Sequence, residues 1–101
     1  MVRHVILWKL KEELSPEEKQ SIKKEIKAGL EGLVGKVPGL VEVTVNIDGR
    51  IDSSNCDLML DSVLESPEAL KIYAQDPEHQ TVANCKVRPY TIQRTCLDYE
   101  Y

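Results

Sequence analysis

The chain has 101 residues, 42% of them hydrophobic, and its 17 acidic and 13 basic side chains give a formal net charge of −4. This length matches the commonest domain size, so we expect one folded unit over residues 1–101. The acidic balance, without a basic stripe, argues against nucleic acid or an anionic membrane as a partner.

The N-terminus enters an alternating segment directly and shows neither the apolar run nor the cleavage site of a signal peptide. No apolar segment is long enough to cross a bilayer. The three cysteines, Cys56, Cys85 and Cys96, form an odd set without C-x-x-C spacing, which fits neither a disulfide framework nor a zinc site. We therefore predict three reduced thiols and a cytoplasmic protein.

Residues 2–10 alternate with period two, which predicts a first strand. One face carries His4, Ile6 and Trp8, and the other carries Val5 and Leu7. Both faces are partly apolar, whereas a strand at the surface of a monomer would show one polar face. The pattern predicts helices over the first face and a second copy of the chain over the face with Val5 and Leu7.

A capping box, Ser15-Pro16-Glu17-Glu18, predicts the start of the first helix. Its apolar stripe consists of Ile22, Ile26, Leu30, Leu33 and Val37. Three glycines, at positions 29, 32 and 35, predict early fraying or a close approach to another element. We expect Pro38-Gly39 to end the helix.

The second strand is predicted over residues 40–47, where the apolar face would consist of Val41, Val43, Val45 and Ile47. Turn residues fill positions 48–55. A third strand is predicted over residues 56–64, and its apolar face would consist of Cys56, Leu58, Leu60 and Leu64. The short connection indicates a hairpin.

The second helical region begins at the cap formed by Ser66 and Pro67 and is interrupted at Asp76-Pro77. A new helix is predicted from Pro77 through Cys85, and a last strand over residues 91–100. The element order is β-α-β-β-α-β. This order predicts a ferredoxin-like α+β fold with a four-stranded antiparallel sheet in the order 4-1-3-2.

Two residues of the bent helical region are candidates for catalysis. His79 would lie at the third position of the helix begun by Pro77, where the helix dipole favours a neutral imidazole that can act as a general base. Tyr73 lies one interrupted turn earlier, where it could orient that ring or donate to a substrate oxygen. The same pattern also fits a surface histidine and a half-buried tyrosine whose hydroxyl faces water.

His4 would enter the space between the first strand and the helices, or it would be a hydrogen-bonded structural residue of that strand. Trp8 would be a pocket wall or part of the core. The two histidines form no local metal motif, although folding could bring them together with Asp98. No phosphate loop, nucleophile elbow or redox pair is present, so we predict neither cofactor nor metal.

Three segments together resemble the stress-responsive A/B barrel (Dabb) family over nearly the whole chain. They are the opening Val-Arg-His-Val-Ile-Leu-Trp-Lys-Leu, the sequence Pro38-Gly39-Leu40, and Tyr-Ala-Gln-Asp-Pro-Glu-His-Gln-Thr-Val at residues 73–82. The resemblance implies homodimers in which two sheets enclose a dimeric α/β barrel. It also implies a pocket in each subunit between sheet and helices.

One plant member of the family, a cyclase, closes a linear polyketide by aldol condensation. A tyrosine and a histidine of that cyclase match Tyr73 and His79, and an acidic residue that could orient a histidine matches Asp98. Asp98 would otherwise be an edge-strand aspartate in solvent. Leu58 stands where the cyclase has a histidine, so the pocket predicted here, lined by Ile6, Trp8 and Leu58, is more apolar.

These observations leave three functions open. The first is a cofactor-independent cyclase, isomerase or lyase acting on a small carbonyl or aromatic compound, with His79 as base and Tyr73 or His4 stabilising the oxyanion. The second is a non-catalytic stress protein or small-ligand-binding protein. The third is a cofactor-independent monooxygenase of the related dimeric-barrel type.

Overall fold

The computed structural model describes all residues from 1 to 101. Its elements in chain order are β1 (Val2–Leu10), α1 (Pro16–Glu31), β2 (Leu40–Asn46), β3 (Leu58–Leu64), α2 (Pro67–Gln75), α3 (Pro77–Val82) and β4 (Thr91–Glu100). The strands form one antiparallel sheet in the order β2-β3-β1-β4, which confirms the predicted ferredoxin-like fold. None of the helices combines the length and the apolar character that crossing a membrane requires.

Helix α1 begins with the predicted capping box. The Ser15 hydroxyl accepts a hydrogen bond from the Glu18 backbone N–H at 3.1 Å, and the Glu18 carboxylate accepts one from the Ser15 N–H at 3.0 Å. These two bonds satisfy donors that every helix start leaves unpaired. The sequence therefore fixes the first turn locally.

The C-terminal half of α1 shows both effects predicted from its glycines. Regular helix stops at Glu31, although Leu33 and Val37 remain buried in the turns that follow. A Cβ atom at Gly29 would lie only 2.9 Å from Cγ1 of Val82, so this glycine lets α3 approach α1 closely. The two helices thereby form one layer over the sheet.

Strand β2 differs from the predicted alternation at its start. Leu40 pairs with Leu64 while Glu42 pairs with Val63, so Val41 is the extra residue of a β-bulge. Because a bulge reverses the facing of the residues before it, Leu40 is buried and Val41 is exposed. The prediction that Val41 belongs to the buried face was wrong.

Strand β3 begins at Leu58, so the prediction that Cys56 is a strand residue was also wrong. The preceding residue, Asp57, anchors the loop instead. Its N–H donates to the carbonyl oxygen of Trp8 at 2.8 Å, and its carboxylate accepts from the Leu10 N–H at 2.8 Å. One backbone bond and one side-chain bond to β1 thus hold the loop at this point.

The second helical region bends at Asp76-Pro77, as predicted, but changes character after Val82. The chain continues as a wide π-helical turn over Ala83–Val87 and a short 3₁₀ turn over Arg88–Tyr90. The chain is therefore helical through Cys85, as predicted, but its last turn is π-helical and not α-helical. Proline at position 89 has no N–H to extend an α-helical ladder, and the wider turn lets both Ala83 and Val87 reach the core.

Candidate active site

The register between β1 and β4 brings His4 and Asp98 together. The two residues are direct cross-strand partners, so their side chains lie on the same face of the sheet, the face covered by the helices. Nδ1 of His4 forms a hydrogen bond with Oδ1 of Asp98. On the other side, the Ser62 hydroxyl of β3 donates to the His4 carbonyl oxygen at 2.9 Å. Asp98 of β4 thus holds the buried imidazole, and Ser62 of β3 holds the backbone of the same residue.

The break between α2 and α3 brings His79 onto Tyr73. The Asp76 carboxylate caps α3 by accepting from the N–H groups of Glu78 at 2.8 Å and His79 at 3.3 Å. The chain turns there, and the Tyr73 and His79 rings stack with centroids 4.1 Å apart and an angle of 28° between their planes. Tyr73 also meets His4 edge to face at 5.9 Å. The tyrosine ring therefore lies between the two histidines.

A cavity of about 340 Å³ opens beside these rings, between the sheet and the helical layer. Its size falls in the range that small-molecule sites occupy. The apolar wall is formed by Ile6, Trp8, Leu30, Leu60, Leu70, Ala74, Ala83, Val87 and Ile92. The polar groups on the wall are His4, Tyr73, His79, Arg88, Thr91, Gln93 and Arg94.

Burial adjusts both stacked rings toward their neutral forms. It raises the pKa of Tyr73 to about 12, an effect that the positive charge of Arg94 partly opposes. Burial also lowers the pKa of His79 below its ordinary value, helped by Arg88 and His4 and partly opposed by the backbone of Ala74 and Tyr73. At neutral pH, Tyr73 is therefore a phenol that can donate and His79 an imidazole that can accept a proton.

Two buried polar atoms of this site have no hydrogen-bond partner within the protein, namely the Tyr73 hydroxyl and Nδ1 of His79. Leaving a buried polar group unpaired costs free energy, so native proteins rarely do so without a reason. Both atoms belong to residues of the same cavity wall. Both atoms are themselves enclosed, so a ligand that bonds them has to shift the two rings as it enters, and it would then remove the cost.

The structure places four of the predicted site residues in one chain of contacts: Asp98 bonds to His4, His4 meets Tyr73, and Tyr73 stacks on His79. Asp98 itself does not line the cavity. The predicted pocket residues Ile6 and Trp8 do line it, and so does Leu60. Leu58 does not, because it points into the core next to Trp8, toward the end of β1 that is remote from His4.

Sequence reasoning missed several wall residues, above all the two arginines. Arg94 lies directly opposite Trp8 in the β1–β4 register, so counting back from the His4–Asp98 pair would have placed it. Arg88 is presented by the turn after the π-helical segment. No local pattern predicts that turn, and none predicts the buried Ser62 that holds β1.

One group of side chains has metal-ligand chemistry. Nδ1 of His4, Sγ of Cys96 and a carboxylate oxygen of Asp98 all lie within 4.8 Å of one another, and imidazole, thiolate and carboxylate are the ligands of zinc. Cys96 donates instead to Asp98 at 3.4 Å. Burial and the Asp98 carboxylate raise the pKa of the Cys96 thiol, which disfavours the thiolate that a metal needs.

Comparison with known proteins defines the class. The fold is that of a ferredoxin-like α+β domain. Residues 2–101 match the family described as Stress responsive A/B Barrel Domain (Dabb), and the chain belongs to this family. None of the curated proteins matches it significantly.

Solved structures share the fold over almost the whole chain. A dimeric protein of unknown function from Bacteroides fragilis NCTC 9343 is 26% identical with a TM-score of 0.91, and the alignment covers 99% of this chain and 95% of that one. The hydroxynitrile lyase of Passiflora edulis is 18% identical with a TM-score of 0.71, covering 97% and 90% of the two chains. A candidate antibiotic biosynthesis monooxygenase from Nitrosomonas europaea is 11% identical with a TM-score of 0.74, covering 100% and 98%.

Proposed function

We propose that this protein is a cofactor-independent enzyme of the cyclase, isomerase or lyase kind that removes a proton next to a carbonyl group. The observation that carries the proposal is the pair of buried, unpartnered polar atoms on Tyr73 and His79, two residues that line one cavity. One atom belongs to a neutral base and the other to a donor. This is the pair of groups that enolate chemistry requires.

In the reaction, the neutral imidazole of His79 takes the proton from the carbon beside the substrate carbonyl. The electron pair of the broken C–H bond moves into the carbonyl, whose oxygen becomes an enolate oxygen. The Tyr73 hydroxyl donates to that oxygen and, with its pKa raised to about 12, keeps its own proton. The enolate then attacks a second carbonyl, accepts a proton at another carbon, or expels a leaving group.

His4 has a different role in this proposal from the one that the sequence suggested. Its Nδ1 is already hydrogen-bonded to the Asp98 carboxylate, whereas the Tyr73 hydroxyl has no partner within the protein. Tyr73, rather than His4, is therefore the donor to the enolate oxygen. His4 and Asp98 together position the Tyr73 ring through the edge-to-face contact at 5.9 Å.

Hydrogen–deuterium exchange at carbon tests the chemistry without knowledge of the natural substrate. Phenyl-substituted alkyl ketones such as 4-phenylbutan-2-one lose their α-protons slowly in D₂O, and NMR measures the loss directly. We expect the protein to accelerate the exchange above buffer. His79→Gln should lower the protein-dependent rate by about 10²–10⁴-fold, the usual contribution of a general base. Tyr73→Phe should lower it by about 10²–10³-fold, as for the loss of one oxyanion donor.

Tyr99→Phe is the matched control, because it removes the same hydroxyl from a half-exposed residue of β4 that does not line the cavity. It should exchange at the wild-type rate. Full exchange activity in a folded His79→Gln protein would eliminate the proposed base. If the cavity binds ketones but no exchange occurs, the alternative of a small-ligand-binding protein replaces the enzyme. Oxygen consumption with a phenolic substrate would instead support the monooxygenase alternative.

We also propose that the chain forms a homodimer through the sheet face that the helices leave uncovered. Val5 and Leu7 of β1 lie there beside Leu97 of β4, whose side chain is 63% exposed. Contiguous apolar surface of this kind marks protein contacts, and the Bacteroides fragilis protein is described as dimeric. Leu97→Glu should convert the dimer to a monomer in light scattering, while Ile51→Glu in an exposed loop should leave it dimeric. A wild-type monomer at micromolar concentration would refute the contact.

The three unpaired cysteines support the further proposal of a reducing compartment, such as the cytoplasm. Fractionation of the native cells, with detection of the chain by mass spectrometry, tests it. Recovery in an oxidising compartment would contradict it.

A further inference from the structure

The wall of the cavity carries a charge opposite to that of the whole protein. The chain has a net charge of −4, yet the residues around the cavity include two arginines and neither an aspartate nor a glutamate. The other polar residues of the wall, His4, Tyr73, His79, Thr91 and Gln93, include no acid. The Asp98 carboxylate lies outside the wall, bonded to His4, and its single negative charge leaves the two arginines with a net positive charge around the cavity.

Arg94 is the arginine best placed to use this potential. It lies opposite Trp8 in the sheet register, on the same face as His4, at the mouth of the cavity. Its charge reaches the interior, because it acts on the pKa of Tyr73. Two other arginines have carboxylate partners, Arg3 with Asp61 and Arg50 with Asp57, whereas Arg94 makes no salt bridge.

Arg88 differs from Arg94 in that its guanidinium is already held by neutral acceptors. It donates to the side-chain oxygen of Gln80 at 3.1 Å and to that of Asn84. These bonds fix its position at the rim without cancelling its charge. Arg88 therefore contributes to the field, while Arg94, which lies beside the Cys96 thiol and has no carboxylate partner, is able to bind a ligand directly.

We propose that the cavity binds an apolar or aromatic ligand bearing a carboxylate, with the Arg94 guanidinium bound to the carboxylate at the mouth and the apolar body against Ile6, Trp8 and Leu60. A guanidinium presents two parallel N–H groups that match the two oxygens of a carboxylate. The inference names the substrate class of the cavity assigned above, but it concerns binding and does not require turnover.

A phosphate ligand fits the site less well than a carboxylate. Phosphate groups in proteins usually use the free N–H groups of a helix start as well as basic side chains. The start of α3, the helix end next to Tyr73, already bonds to the Asp76 carboxylate. Arg94 is the guanidinium at the mouth that is available to a ligand, and a single carboxylate balances its charge.

Binding of a matched pair of probes tests this inference. We choose 4-phenylbutanoate and 4-phenylbutanamide, which have nearly the same shape and differ in charge. Trp8 is the only tryptophan and lines the cavity, so its fluorescence reports occupancy, and calorimetry gives the affinity independently. We expect the acid to bind the wild-type protein at least about 10-fold more tightly than the amide, with a preference that weakens at high salt.

Variants of Arg94 assign the preference to this residue. Arg94→Gln should remove the preference for the acid and leave amide binding unchanged, and Arg94→Lys should restore part of it. Lys36→Gln removes one positive charge outside the cavity and should preserve the full preference. Circular dichroism of each variant establishes that it is folded, which is expected because Arg94 is a surface residue.

Three results would overturn the inference: equal binding of acid and amide by the wild type, an equal loss of both in Arg94→Gln, or no binding of the acid at millimolar concentration. The outcome is separable from that of the exchange assay. Selective acid binding without carbon exchange would retain the anion site and reject the proposed enzyme. Carbon exchange without a preference for the acid would retain the proposed enzyme and reject the anion site.

Discussion

Replacement of Tyr73 by phenylalanine should make the protein more stable and less active at the same time. The side chain is 1% exposed, and its hydroxyl is buried without a hydrogen-bond partner. An unsatisfied buried polar group costs about 1–3 kcal/mol, and Tyr73→Phe removes the group without removing the ring. At the lower end, a gain of about 1 kcal/mol would raise the Tm by about 4–8 °C for a domain of this size.

Thermal unfolding followed by circular dichroism measures this gain, at one protein concentration because dimerisation also shifts the Tm. The comparison is Tyr99→Phe, whose hydroxyl lies on a half-exposed residue and should change the Tm little. The exchange rate of the same Tyr73→Phe sample supplies the functional half of the test. A lower Tm for Tyr73→Phe than for wild type would show that the hydroxyl has a partner, and the reasoning from its isolation would fail.

Three further predictions concern other parts of the molecule. In urea unfolding, Gly39→Ala should destabilise the fold by clearly more than Gly49→Ala. Both glycines have positive φ, +79° and +77°, but only at Gly39 would the added Cβ meet another atom, Cβ of Ala69 at 2.6 Å. Equal losses of stability in the two variants would show that backbone strain, and not the contact with Ala69, causes the whole effect. Burial lowers the pKa of His79 below 6.5 in the folded state, so as the pH falls the unfolded chain takes up the proton before the folded chain does. This residue's contribution to stability is therefore complete above pH 6.5 and is lost as the pH falls toward the folded pKa. His79→Gln should flatten that dependence in pH-resolved melting curves, and an unchanged slope would contradict the shift. The intact mass should be the same before and after reduction under native conditions, whereas a difference of two hydrogens would reveal a disulfide.

The sequence predicted most of the fold because the decisive signals are local. The capping box at Ser15 and the Asp76-Pro77 interruption act within one turn of the chain, and both occur where they were expected. Two of the errors, at Val41 and Cys56, lie where pairing between strands decides the conformation. Nothing in the alternation of residues 40–47 indicates that Val41 forms a bulge, because a bulge depends on the register with β3.

The candidate site was less predictable than the fold, because it depends on side chains that meet across distant segments. The residues His4, Tyr73, His79 and Asp98 were named from the sequence, but their contacts required the β1–β4 register and the bend between α2 and α3. The positive wall was not foreseen. Arg94 looks like an ordinary surface residue until the register places it beside Trp8.

The contact between Gly29 and Val82 makes the geometry of the cavity depend on a helix that supplies little of its wall. The missing Cβ at Gly29 sets how far α3 sinks toward α1, and Val82 lies one turn beyond His79 on that same short helix. Any side chain at position 29 would clash with Val82 and push α3 away from α1. The His79 imidazole on α3 would then move relative to the Tyr73 ring. A substitution in α1 would therefore change the alignment of the two rings.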